Sequence, residues 1–126
     1  MRYIVHTRFK GQAICGEVNL RAFTELEEID GVIFYGDKPI SIATSENAHQ
    51  HFACNDDGNG MERGELTRRI QNTLHKHTDR WEKVWDSPMC QKYKRTDHVD
   101  HWLWNHDFFN APIEDLREIA KMIMEV

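Results

Sequence analysis

VIFYGDKPISIATSENAHQHFAC, residues 32–54, decides the fold, because the hydrophobic period changes inside it. Val32–Tyr35 and Lys38–Thr44 are rich in β-branched and aromatic residues and flank Gly36-Asp37. That arrangement fits a two-residue II′ hairpin loop with Gly first. Pro39 cannot donate to a ladder, so it belongs near an edge or a strand start. From Ser45 the period becomes helical. Ser45 suits an N-cap, and a short helix over Glu46–Cys54 would turn Ala48, Phe52 and Ala53 inward. Strands come before this point and helices after it.

Upstream, Arg2–Phe9 alternates, with Tyr3, Val5 and Phe9 on one face. Lys10-Gly11 reads as a turn into a second strand, Gln12–Leu20, where Ile14, Val18 and Leu20 share a side. The acidic stretch Phe23–Asp30, with Glu25, Glu27 and Glu28, reads as a loop or a short helical turn. Downstream, Leu66, Ile70 and Leu74 stand at i, i+4 and i+8 and make one helical stripe. Asp79 can cap a further helix carrying Trp81, Val84 and Trp85. Ser87-Pro88 breaks or restarts it, since Pro is tolerated at a first helical position. In the last helix Asn110 caps, Pro112 sits just inside, and Ile113, Leu116, Ala120 and Ile123 line one side. With no repeats or linkers, the expectation is a single α+β domain over residues 1–126. A small antiparallel sheet from the N-terminal third (strands about 2–44) packs against three to four helices (about 45–126).

The 126 residues can bury a core without staples, and 40% hydrophobic content with four Trp and six Phe excludes a disordered tail. A net charge of −5 opposes unaided binding to nucleic acid backbone. Cys15, Cys54 and Cys90 are three in number and contain no CxxC, so reduced thiols are expected rather than a zinc ribbon. The opening residues lack the apolar core of a signal peptide and no stretch reaches membrane-spanning length, so a cytoplasmic location is expected.

Two stretches hold the candidate sites. The first is NDDGNGMERGEL, residues 55–66, which spends two Asp, two Asn and three Gly between two helical segments. As a calcium loop with Gly60 at position 6, Asn55, Asp57 and Asn59 fit positions 1, 3 and 5. Position 12 is then Leu66, where a bidentate Glu is required. As a phosphate cradle, its glycines and Arg63 are opposed by Asp56 and Asp57. A helix–turn–helix reading on Arg63, Arg68 and Arg69 meets the same acidic turn. The reading that survives is a tight connector that aims Asp56, Asp57 and Arg63 outward.

The second stretch is DHVDHWLWNHDFFN, residues 97–110. His98, His101 and His106 with Asp56 or Asp57 could hold a divalent metal and activate water for phosphoester hydrolysis. The same stretch offers Trp102 and Trp104 as anchors of a binding surface, beside Asp56, Asp57 and Arg63. Cys54, near His49 and His51, is framed by no nucleophile motif.

NAHQHFACNDDGNGMERGEL together with DHWLWNHDFF resembles small uncharacterised proteins of phages and prophages of Gram-positive bacteria. The resemblance implies an intracellular protein of a mobile element, in the host cytoplasm, that acts by binding a host or phage protein. Self-association as a homo-oligomer is a separate expectation that the sequence leaves open. The leading expectation is a non-enzymatic binding module without a cofactor. The alternative is a phosphohydrolase or nuclease dependent on a divalent metal ion.

Overall fold

The structure is a computed structural model and describes residues 1–77, 79, 87–93 and 106–124. Its architecture is α+β. The strands are β1 (Arg2–Val5), β2 (Phe9–Ala13), β3 (Gly16–Leu20), β4 (Glu25–Ile29), β5 (Val32–Tyr35), β6 (Lys38–Ile42) and β7 (Phe52–Cys54). The helices among the described residues are α1 (Glu46–His51), α2 (Gly60–Lys76), α3 (Pro88–Gln91), α4 (His106–Phe109) and α5 (Ile113–Met124). None of these helices is long and apolar enough to cross a membrane. The chain divides into two compact units, Met1–Gly64 and Glu65–Val126.

In the first unit, an antiparallel five-stranded sheet has the order β6-β5-β4-β1-β7, and β2 and β3 form a separate hairpin. The expected II′ loop is present: Tyr35 pairs with Lys38 and Gly36 has φ +63°. Three expectations need correction. Lys10-Gly11 is no turn but lies inside β2, and the chain reverses at Ile14-Cys15 instead. The acidic stretch is not a loop, because Glu25–Ile29 forms the middle strand of the sheet. Glu disfavours strands weakly, and pairing on both sides overrides that preference. The deciding turn is Asp30-Gly31, with both residues at positive φ (51° and 82°), as a two-residue I′ hairpin needs.

The third correction concerns Glu46–Cys54. Ser45 does cap the helix, its hydroxyl accepting from the Ala48 N–H at 3.2 Å, but the helix stops at His51. Phe52 turns extended (φ −120°, ψ 144°), and Phe52–Cys54 pairs with β1 as an edge strand. Ladder bonds to β1 supply partners that a further half-turn of helix would not.

The core face of the sheet carries Tyr3, Val5, Leu26, Ile33, Ile40 and Phe52, which cluster with Phe9, Ala13 and Leu20 of the β2–β3 hairpin and with Ala48 of α1. The hairpin also covers the β6 edge, since Ile14 N–H donates to Ile40 O (2.9 Å) and Cys15 N–H to Pro39 O (3.0 Å). An edge strand partly occupied in this way is a poorer template for further pairing.

In the second unit, Ile70 and Leu74 of α2 are fully buried with Leu116, Ile119 and Ile123 of α5, Phe108 and Phe109 of α4, and Tyr93. The expected stripes on α2 and α5 therefore face a core, and Pro88 opens α3. Lys92 Nζ (2.8 Å) and the Tyr93 hydroxyl both donate to the Asp115 carboxylate. Those two donors hold the Asp115 carboxyl below its ordinary value.

No atom stands within 4 Å of a Cβ built on Gly31, so Gly31→Ala tests conformation alone. The left-handed backbone predicts a loss of about 1–2 kcal/mol in urea-unfolding free energy.

Candidate functional site

The connector Asn55–Gly60 is built almost entirely from bonds to itself and to its neighbours. Asn55 N–H donates to Arg2 O (2.8 Å), which continues the β1 ladder beyond β7. Gly58 N–H returns to Asn55 O (3.1 Å), with Gly58 at φ +79°. The Asp57 carboxylate accepts from Asn59 N–H (3.0 Å) and the Asn55 side chain from Gly60 N–H (2.8 Å). The Gly60 bond satisfies one of the donors that the start of a helix leaves without an intrahelical partner. The Asp56 carboxylate accepts from Arg2 N–H (2.7 Å), and its carbonyl from the Arg2 guanidinium (3.3 Å).

Arg63 overturns the expectation that it points outward. Its side chain is 3% exposed and its guanidinium donates to Cys54 O and to both oxygens of Asp57, at 3.2 and 2.7 Å. The reason is electrostatic. Two acceptors, the last carbonyl of an edge strand and a carboxylate one turn before the helix, converge where a planar guanidinium can serve both. Asp56 and Asp57 remain partly exposed, at 50% and 40% of their side chains.

Two glycines admit this packing. A Cβ on Gly60 would lie 2.5 Å from Ile4 Cγ2 and 2.8 Å from Asn55 Oδ1, and one on Gly64 would overlap the His6 ring. The glycine-rich run is thus spent partly on close approach rather than on a ligand loop.

The ionisable groups here are shifted away from reactivity. Hydrogen bonds from Arg63, assisted by the Asn59 N–H, hold the Asp57 carboxyl far below the usual carboxylate range. Burial pushes the Cys54 thiol up, which opposes a nucleophilic thiolate. Burial, with its bond to Glu28 (3.0 Å), raises the Tyr3 phenol well above its ordinary value. His49 is buried, and His51 contacts Thr7 O through Nδ1 (3.1 Å) while its ring tilts against Phe9.

Beside the connector lies a cavity of about 320 Å³. Arg2, Glu25, Glu27, Phe34, Gly36 and Asn55 line it, together with Tyr3 and Leu26 of the core face. Register explains three of these: Glu27 sits opposite both Arg2 and Phe34, and cross-strand partners share a face. The same face continues to Ile29, paired with Val32, which is paired with Ile42. Ile29 and Ile42 are 51% and 55% exposed. Sequence reasoning missed Glu25 and Glu27 as site residues because it missed their strand. The Asp30-Gly31 dipeptide was the signal that could have found it.

Of the other expected site residues, His98, His101, Trp102 and Trp104 lie outside the described residues, as do Trp81, Val84 and Trp85. His106 begins α4. Among the described residues no group of three or more His, Cys, Asp or Glu could hold a metal ion. No protein-family model, curated protein or solved structure matches the chain.

Gly64→Ala should destabilise, since a backbone-fixed Cβ meets a ring, and overpacking of about 1–3 kcal/mol exceeds the roughly 1 kcal/mol of helix propensity gained. Urea unfolding decides the sign. Asp57 gives a second expectation. Its folded carboxyl is depressed, so its contribution is complete above the unfolded value of about 3.9 and is lost as pH falls through and below it. Stability measured from about pH 6 to pH 2 should fall less steeply in Asp57→Asn than in the natural chain.

Proposed function

We propose that the protein is a non-enzymatic protein-binding module and, from the resemblance of its central and His/Trp stretches, that it belongs to a phage or other mobile element. The observation that carries the first part is the state of the ionisable groups around the connector. A catalytic acid, base or nucleophile needs a proton affinity near working pH, whereas the Asp57 carboxyl is held down and the Cys54 thiol and Tyr3 phenol are pushed up, each away from that range. Rigidity fits the same reading, because a connector bonded at both ends presents Asp56 and Asp57 with little ordering left to lose on association. The apolar row Ile29, Val32 and Ile42 supplies contact area that such association would cover.

Two measurements test the proposal together. Thermal unfolding with Mg²⁺, Mn²⁺, Zn²⁺ or Ca²⁺ should leave Tm unchanged. An ion at about 100 times its Kd would instead add roughly 2.7 kcal/mol. Capture from a lysate of the cells that make the protein should retain a protein that the Ile29→Glu/Ile42→Glu variant does not. Equal capture by both forms, or metal-dependent hydrolysis of a phosphodiester, contradicts the reading.

A further inference from the structure

Glu25 and Glu27 are two carboxylates on one face of one strand, and neither side chain makes an ion pair or hydrogen bond among the described residues. The cation nearest in register, Arg2 opposite Glu27, lines the same cavity but makes its bonds to Asp56 and not to either Glu. Its main-chain N–H and guanidinium go to Asp56. The cavity thus has a net negative lining, two carboxylates against the one Arg2 guanidinium, with Phe34 beside them. Charge over the whole first unit has the same sign: ten Asp and Glu against six Lys and Arg give −4 of the chain's −5. Next to the cavity the face turns apolar, with Ile29 and Ile42 exposed and Val32 between them. From Glu27 to Ile29 along the strand is about 7 Å, and from Glu25 about 13 Å.

We propose that this cavity and the apolar row beside it form one docking face for a cationic, partly apolar protein segment. A Lys or Arg side chain of the partner lies against Phe34 between the Glu25 and Glu27 carboxylates. An apolar side chain two to four residues along the partner covers Ile29, Val32 and Ile42. This rests on the binding-module reading and names its partner's chemistry. Three terms select the occupant. The carboxylates attract a cation, the ring face favours a cation over a neutral group, and the isoleucines reward apolar area that a free ion lacks. A nucleic acid is disfavoured by the same two carboxylates, since its phosphates would meet them at the rim.

The test uses the full chain labelled with ¹⁵N and a synthetic octapeptide of alternating Lys and Leu, acetylated and amidated. The expected result is movement of the Glu25, Glu27, Ile29, Phe34 and Ile42 amides, with affinity that weakens as salt rises. The Glu25→Gln/Glu27→Gln variant, whose changes are at exposed positions, should bind at least tenfold more weakly while keeping the natural circular dichroism spectrum and Tm. Equal shifts from a Glu/Leu octapeptide, full binding by lysine amide alone, or tighter binding of a single-stranded oligonucleotide each overturns the proposal. If neither octapeptide moves this face while capture from lysate still depends on Ile29 and Ile42, the cationic partner falls and the module reading stands.

Discussion

The ion pair between Arg63 and Asp57 is the constraint on which the described site depends. One guanidinium, nearly sealed from water, joins the carbonyl that ends β7 to the carboxylate of the turn before α2. Burying such a cation without its carboxylate costs several kcal/mol, so the pair forces the turn to keep Asp57 over the first turn of the helix. Everything nearby follows from that placement. Gly60 and Gly64 bring the helix onto Ile4 and the His6 ring, and Asn55 caps the start of the helix. Asp56, not engaged by Arg63, takes Arg2.

That last bond links the connector to the neighbouring sheet face. Arg2 stands opposite Glu27 in the ladder and would be its natural partner. With Arg2 bonded to Asp56, neither Glu25 nor Glu27 has an ion pair among the described residues, and the cavity they share with Arg2 and Phe34 keeps a net negative lining. The Arg2–Asp56 pair is the exposed counterpart of the buried Arg63–Asp57 pair. That exposed pair, 4.0 Å long between side chains 72% and 50% exposed, adds little stability.

The parts of this arrangement visible in the sequence were those carried by period and by local turn chemistry. The II′ loop at Gly36-Asp37, the cap at Ser45 and the stripes Leu66–Leu74 and Ile113–Ile123 each depend on residues a few places apart. Phe52–Cys54 was misread because three residues cannot show a period, and the β1 strand that recruits them lies some fifty positions earlier. Glu25–Ile29 was misread from composition, although Asp30-Gly31 next to it encoded the hairpin. Arg63 looked like a surface cation on a helix. Only the convergence of Cys54 O and Asp57 in space turns it inward. Gly64 gave no sign of its role either, since the ring it accommodates belongs to His6.

A double-mutant cycle on Asp57→Asn and Arg63→Met, read by urea unfolding at neutral pH, tests this account most directly. Methionine keeps the buried stem of Arg63 and removes its charge. If the guanidinium–carboxylate pair holds the connector together, the two changes couple by more than about 1 kcal/mol, the double variant losing much less than the sum of the singles. Additivity to within about 0.5 kcal/mol would contradict it.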